Sequence, residues 1–193
     1  MPLNSTLFIR RRQRGTTMLE VLVTMLILAF GMLGLAGLQA KLHVTEMESY
    51  QRAQAIVLLS DMVERINANR ANAAGYVTGT ASPLGTGDTQ LASCTGTAFG
   101  VARDQCEWSN ALKGAAEKTG GTSIGAMIGA RGCVEQLQAP NLAPGVCTPG
   151  RYRVTVVWQG LNATATPSLA CASASSYGAN TALRRAIGAN SSG

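Results

Sequence analysis

The chain has 193 residues, 46% of them hydrophobic and only 13% charged, with 22 glycines and a formal net charge of +6. Ordinary hydrophobicity with little charge excludes a disordered chain, which needs the opposite balance. The basic character does not mark a nucleic-acid binder: Arg10, Arg11, Arg12 and Arg14 supply four of the 16 Lys/Arg, leaving 12 against 10 acids, or +2, from Thr16 onward.

That basic cluster precedes an uncharged run, residues 21–40 (VLVTMLILAFGMLGLAGLQA). Twenty helical residues at about 1.5 Å each span about 30 Å, the hydrocarbon thickness of a bilayer. The run exceeds the apolar core of a secretory signal peptide, and arginines before it orient the N-terminus toward the cytoplasm. Glu20 stands at its start. One reading is an acid favoured by the helix N-terminus. The other is a carboxylate that requires a cation supplied only by assembly, since an unpaired charge in a membrane is costly. Gly31, Gly34 and Gly37 recur every three residues, as close helix packing or local unwinding would require, or as Gly is simply common in membrane helices.

The segment Arg12-Gln13-Arg14-Gly15-Thr16-Thr17-Met18-Leu19-Glu20-Val21 resembles the signal of type IV pilins and type II secretion pseudopilins. The resemblance implies a leader of residues 1–15, cleavage by a prepilin peptidase between Gly15 and Thr16, N-methylation of Thr16, and an assembly salt bridge made by Glu20 to the new amine of a neighbouring subunit. It departs from the usual pattern at Thr16, where Phe is the common first mature residue.

Beyond Lys41 the pattern becomes amphipathic, with Met47, Tyr50, Val57, Met62, Val63 and Ile66 set among acids and arginines. Spacings of three and four predict one helix to about Asn69, roughly 80 Å long from Thr16. It divides into residues 16–40, the transmembrane and assembly half, and residues 41–70, the amphipathic half. His43, the only histidine, reads as an interfacial residue. Residues 71–193 form the globular domain outside the membrane. Within it, residues 71–100 read as a loop, and residues 104–118 as a short helix with Trp108 and Leu112 buried four apart. Residues 151–159 (RYRVTVVWQ) form a strand with Tyr152, Val154, Val156 and Trp158 on one face and Arg153, Thr155 and Val157 on the other. Residues 132–137 are its expected partner, and the tail from Ser173 an expected edge strand.

The five cysteines, Cys94, Cys106, Cys133, Cys147 and Cys171, all follow the apolar run. An exported domain uses them as disulfides, four paired and one free, in any of 15 ways (five choices of the odd cysteine, three pairings each). Cys147 and Cys171 flank the strong strand and make a tempting staple.

The signal, the segment around Trp108, IGARGCVE (residues 128–135) and YRVTVVWQG (residues 152–160) together resemble the PilV family of type IV pilus minor pilins. This implies an α+β pilin fold, a long N-terminal helical spine on a small antiparallel sheet. It implies a low-abundance subunit near a fibre tip that primes assembly and supports twitching motility or adhesion. Its partners would be the prepilin peptidase, other minor pilins, the major pilin, the assembly platform and, before assembly, the inner membrane. The runner-up is a minor pseudopilin of a type II secretion system. No cofactor or metal is expected, and no catalytic constellation supports an enzyme. Arg151, Arg153, Arg184 and Arg185 as a DNA-binding patch compete with solvated strand-edge arginines.

Overall fold

The computed structural model describes residues 15, 17–114, 118–119, 122–123, 127–141, 143–175, 177–178 and 181–192. Helix α1 (Met18–Ala68) is followed by a 3-10 helix (Arg70–Tyr76), β1 (Leu84–Gly85), α2 (Val101–Leu112), β2 (Lys118–Thr119), β3 (Thr122–Ser123), β4 (Ile128–Gln138), β5 (Arg151–Gln159), a 3-10 turn (Thr181–Leu183) and β6 (Arg184–Ser192). The main sheet has the order β1-β4-β5-β6, antiparallel throughout, and β2 pairs only with β3. This is the α+β arrangement of a long N-terminal helix packed on a small antiparallel sheet.

Two units are distinct, residues 1–43 and residues 44–193. In the first, the side chains along α1 are exposed, and this part of the helix is apolar enough to cross a membrane. In the second, the chain builds its core. Gln51, Ala55, Leu59, Met62 and Ile66 form a buried stripe along α1 at spacings of four, four, three and four. Ala55, Leu59, Met62 and Ile66 pack with Trp108 and Leu112 of α2, Ala130 and Val134 of β4, and Tyr152, Val154, Val156 and Trp158 of β5. Trp108 is fully buried, and its indole N–H donates to the Leu58 carbonyl at 2.8 Å, which satisfies its one polar atom.

Helix α2 covers Val101–Leu112 rather than residues 104–118. It ends two residues before Gly114, whose φ of +79 lets the chain turn away. Lys118 lies in β2, and Gly120, Gly121 and Gly125 lie outside the described residues. Strand β4 extends beyond residues 132–137 to Ile128–Gln138, with a register shift between Ile128 and Arg131 that Gly129 accommodates at φ +62.

Strand β5 matches residues 151–159, but not as a half-exposed strand: every residue from Val154 to Trp158 is buried. The face carrying Thr155 and Val157 is covered by a strap, residues 161–175. Cys133, Val157, Cys171, Ala172 and Tyr177 make a second small core there. Two features stand out among those that hold the strap. One is the disulfide Cys133–Cys171, with Cα atoms 5.7 Å apart. The other is Arg184, only 3% exposed, whose guanidinium donates to the carbonyls of Cys171 (2.9 Å), Pro167 (3.0 Å) and Leu169 (2.7 Å). The second disulfide joins Cys94 to Cys106. Cys147 is exposed and free, so a Cys147–Cys171 staple does not form.

Candidate functional site

The N-terminal turn of α1 holds the residues that the signal resemblance singles out. Gly15 is exposed, and a Cβ there would meet nothing within 4 Å. Thr16 lies outside the described residues. Glu20 falls in the first turn of α1 and is exposed. Its backbone N–H donates to the Thr17 carbonyl at 3.0 Å and lies 3.3 Å from the Thr17 hydroxyl oxygen. Thr17 therefore caps the helix, using its hydroxyl for one of the N–H groups that a helix start leaves without a partner. Sequence reasoning passed over Thr17, although its signal is plain: Thr-Met-Leu-Glu has the T-x-x-E spacing of a capping box.

This cap fixes where the helix begins and puts Glu20 in its first turn. One turn further, the Thr24 hydroxyl donates to the Val21 carbonyl at 2.8 Å, so a polar side chain in the apolar run is satisfied within the helix. Open space surrounds Gly31, Gly34 and Gly37, with nothing within 4 Å of an added Cβ. Among the described residues, no packing explains these glycines.

The globular domain is held by three polar nodes. Arg65 of α1 reaches Asp61 (3.0 Å), Asp104 (3.0 Å) and Glu107 (2.9 Å), and the Tyr76 hydroxyl donates to Asp104. Burial works against the Arg65 charge, but its bonds to Glu107, Asp61 and Asp104 outweigh it and keep the guanidinium protonated. At the edge of the sheet, Glu48 of α1 accepts from Arg185 of β6 (3.2 Å) and from the Asn162 backbone N–H (3.1 Å).

Asp88 is the third node. Its carboxylate accepts from the Ser109 hydroxyl (2.6 Å) and the backbone N–H groups of Gly85 (2.8 Å) and Gln90 (3.1 Å), and pairs with Lys113. Burial pushes the Asp88 carboxyl up, but these partners outweigh it and hold it below the ordinary aspartate range. A depressed folded-state value stabilises above the unfolded one. The contribution is thus full above about pH 5 and lost as the pH falls below about 4. Denaturant midpoints measured from pH 7 to pH 3 should fall in that window, and Asp88→Asn should flatten the fall. An unchanged profile in the variant would remove Asp88 from the account.

The four arginines of the supposed basic patch do not act as one. Arg184 is buried under the strap, Arg185 is paired with Glu48, Arg151 is exposed and Arg153 is half-buried. Neither a DNA-binding patch nor a row of solvated edge arginines describes them, because the strap and α1 have taken two.

Residues 10–36 match the family model for the prokaryotic N-terminal methylation motif, and residues 37–108 match the Tt1218-like family, described as Type IV pilin Tt1218. No curated protein and no solved structure matches the chain. The methylation motif implies processing by a prepilin peptidase and assembly with other pilins, and together with the apolar helix it fits anchoring in the inner membrane. Two adjoining matches over residues 10–108, with a long N-terminal helix packed on an antiparallel sheet, make the chain similar to type IV pilins, a family of structural subunits rather than enzymes.

Proposed function

We propose that this chain is a minor pilin of the PilV kind, incorporated near the tip of a type IV pilus, where it primes assembly with other minor pilins and supports twitching motility or adhesion. The observation that carries the reading is the placement of Gly15, the Thr17 cap and Glu20 at the head of an apolar helix whose side chains are exposed. Residues 1–15 are the leader, with the N-terminus on the cytoplasmic side. The prepilin peptidase cuts between Gly15 and Thr16, and the Thr16 amine is methylated. The helix holds the subunit in the inner membrane until the assembly platform passes it into the fibre beside the major pilin.

Electrostatics supplies the register. A lone carboxylate in an apolar bundle is costly, and so is a lone amine, whereas each offsets the other when paired. Glu20 of one subunit therefore selects the position at which a neighbour's N-terminus can rest. Glu20→Gln should leave the membrane-bound level unchanged and reduce recovery in sheared fibres at least about tenfold, the equivalent of about 1.4 kcal/mol or more per incorporated subunit. Equal recovery of variant and wild type would sink this role.

The second reading, a minor pseudopilin of a type II secretion system, shares the signal and the helix. Deletion of the gene separates them: loss of surface fibres with normal exoprotein release supports the pilus, and retained exoproteins with normal fibres support the secretion system.

A further inference from the structure

The strap face of the sheet carries a cleft of about 390 Å³, lined by Arg153, Ser168, Leu169, Gly188 and Asn190. Its polar groups have not been used by the fold. Arg153, Ser168 and Asn190 make no side-chain hydrogen bond or ion pair among the described residues. Arg153 lies directly across from Glu135 on β4 and from Asn190 on β6. No ion pair joins Arg153 to Glu135 among the described residues, and one Glu135 carboxylate oxygen is itself buried without a hydrogen-bond partner. The Arg153 guanidinium is therefore left free on the cleft side.

Thr155 adds an independent sign. It is 0% exposed and its hydroxyl oxygen has no partner. That oxygen lies 3.4 Å from where a Cβ on Gly188 would stand, at the bare backbone of the cleft wall. Buried hydroxyls are nearly always satisfied, so this one, behind the cleft wall, is a polar atom that the fold itself leaves unused.

From this convergence we infer that the cleft binds a carboxylate-bearing saccharide of the uronic-acid type. A guanidinium fork matches a planar carboxylate. Asn190 and Ser168 both donate and accept, as sugar hydroxyls do, so both sides of each hydroxyl can be matched. Leu169 and the bare Gly188 offer an apolar surface to the ring C–H groups. The cleft lies within the size range of small-ligand sites, and a lone carboxylate would leave most of it empty. This inference does not depend on the chain's place in a fibre, because every group belongs to one subunit.

The test is a calorimetric titration of the full chain in lauryldimethylamine oxide micelles, a detergent without a sugar headgroup. The probes are D-glucuronate, acetate, inorganic phosphate, D-glucose and a short oligoglutamate. Glucuronate should bind at least about tenfold more tightly than any other. Arg153→Gln should weaken it at least about tenfold, and Asn190→Ala about threefold or more, while Arg151→Gln on the same strand leaves it unchanged. Arg153 has no side-chain partner among the described residues, so its loss should not move the thermal midpoint. Glucuronate no tighter than acetate or phosphate, tighter binding of oligoglutamate, or an Arg153→Gln variant that binds like wild type would each overturn the inference.

Discussion

Replacing Trp108 with Ala is expected to cost about 3–5 kcal/mol, read as a drop in the denaturant midpoint of the folded domain. The indole fills the space between α1, α2 and β4, so its removal loses transfer energy, opens a cavity and strands the Leu58 carbonyl bond. The opposite error at the same contact is Gly132→Ala. A Cβ at Gly132 would overlap the indole, reaching 2.6 Å from Cζ3, and the ring is fixed at its other end by its N–H bond. Overpacking of this kind costs about 1–3 kcal/mol, and trimming the ring in a Gly132→Ala, Trp108→Phe double variant should recover part of it. Strict additivity of the two changes would mean that they do not share the contact.

Loss of the Cys133–Cys171 bridge is the second large effect. The bridge closes a loop of 38 residues, which in the chain-entropy treatment is worth about 4 kcal/mol. The Cys94–Cys106 bridge closes only 12 and is worth about 3 kcal/mol. Paired Ser substitutions at residues 133 and 171 should therefore lower stability more than those at 94 and 106. They should also expose the strap, residues 161–175, to limited proteolysis, since only hydrogen bonds, those of Arg184 foremost, would then hold it. Cys147→Ser should change stability by no more than about 0.5 kcal/mol, the usual range for a surface position. A Cys147→Ser variant as unstable as Cys133→Ser would mean that the bridge lies elsewhere.

Elements governed by a local period were legible before the structure. Spacings of three and four predicted the extent of α1 but only part of its buried face: Met62 and Ile66 are buried, whereas Met47, Tyr50 and Val57 are exposed and the stripe runs through Gln51, Ala55 and Leu59. The alternation of β5 fixed its limits and set Tyr152, Val154, Val156 and Trp158 on the core side. What failed was whatever depended on distant chain. Alternation predicts that one face of β5 is wet, yet a strap brought over by Cys171 buries it, and no local pattern announces such a cover. Arg184 reads as a solvated edge cation because arginine usually is one. Its partners are three carbonyls 13 to 17 residues earlier in the chain, and a carbonyl has no signature in a sequence. β1 and the 3-10 helix in residues 71–100 escaped for a related reason. The nearby Thr78 and Gly79 are positioned by their N–H bonds to the Val134 carbonyl rather than by propensity. At the candidate site the balance is reversed. Gly15, Thr16 and Glu20 stand in one short signal, and only the Thr17 cap needed coordinates to be seen, though its spacing was there to read.

The measurement closest to the central claim is the mass of the mature N-terminus, taken on protein from cells with and without the prepilin peptidase. The expected result is a chain beginning at Thr16, one methyl group heavier at its amine, in cells that have the enzyme, and an uncut leader in cells that lack it. A leader still attached in cells with the enzyme, or a chain beginning near Lys41 in both, would contradict it.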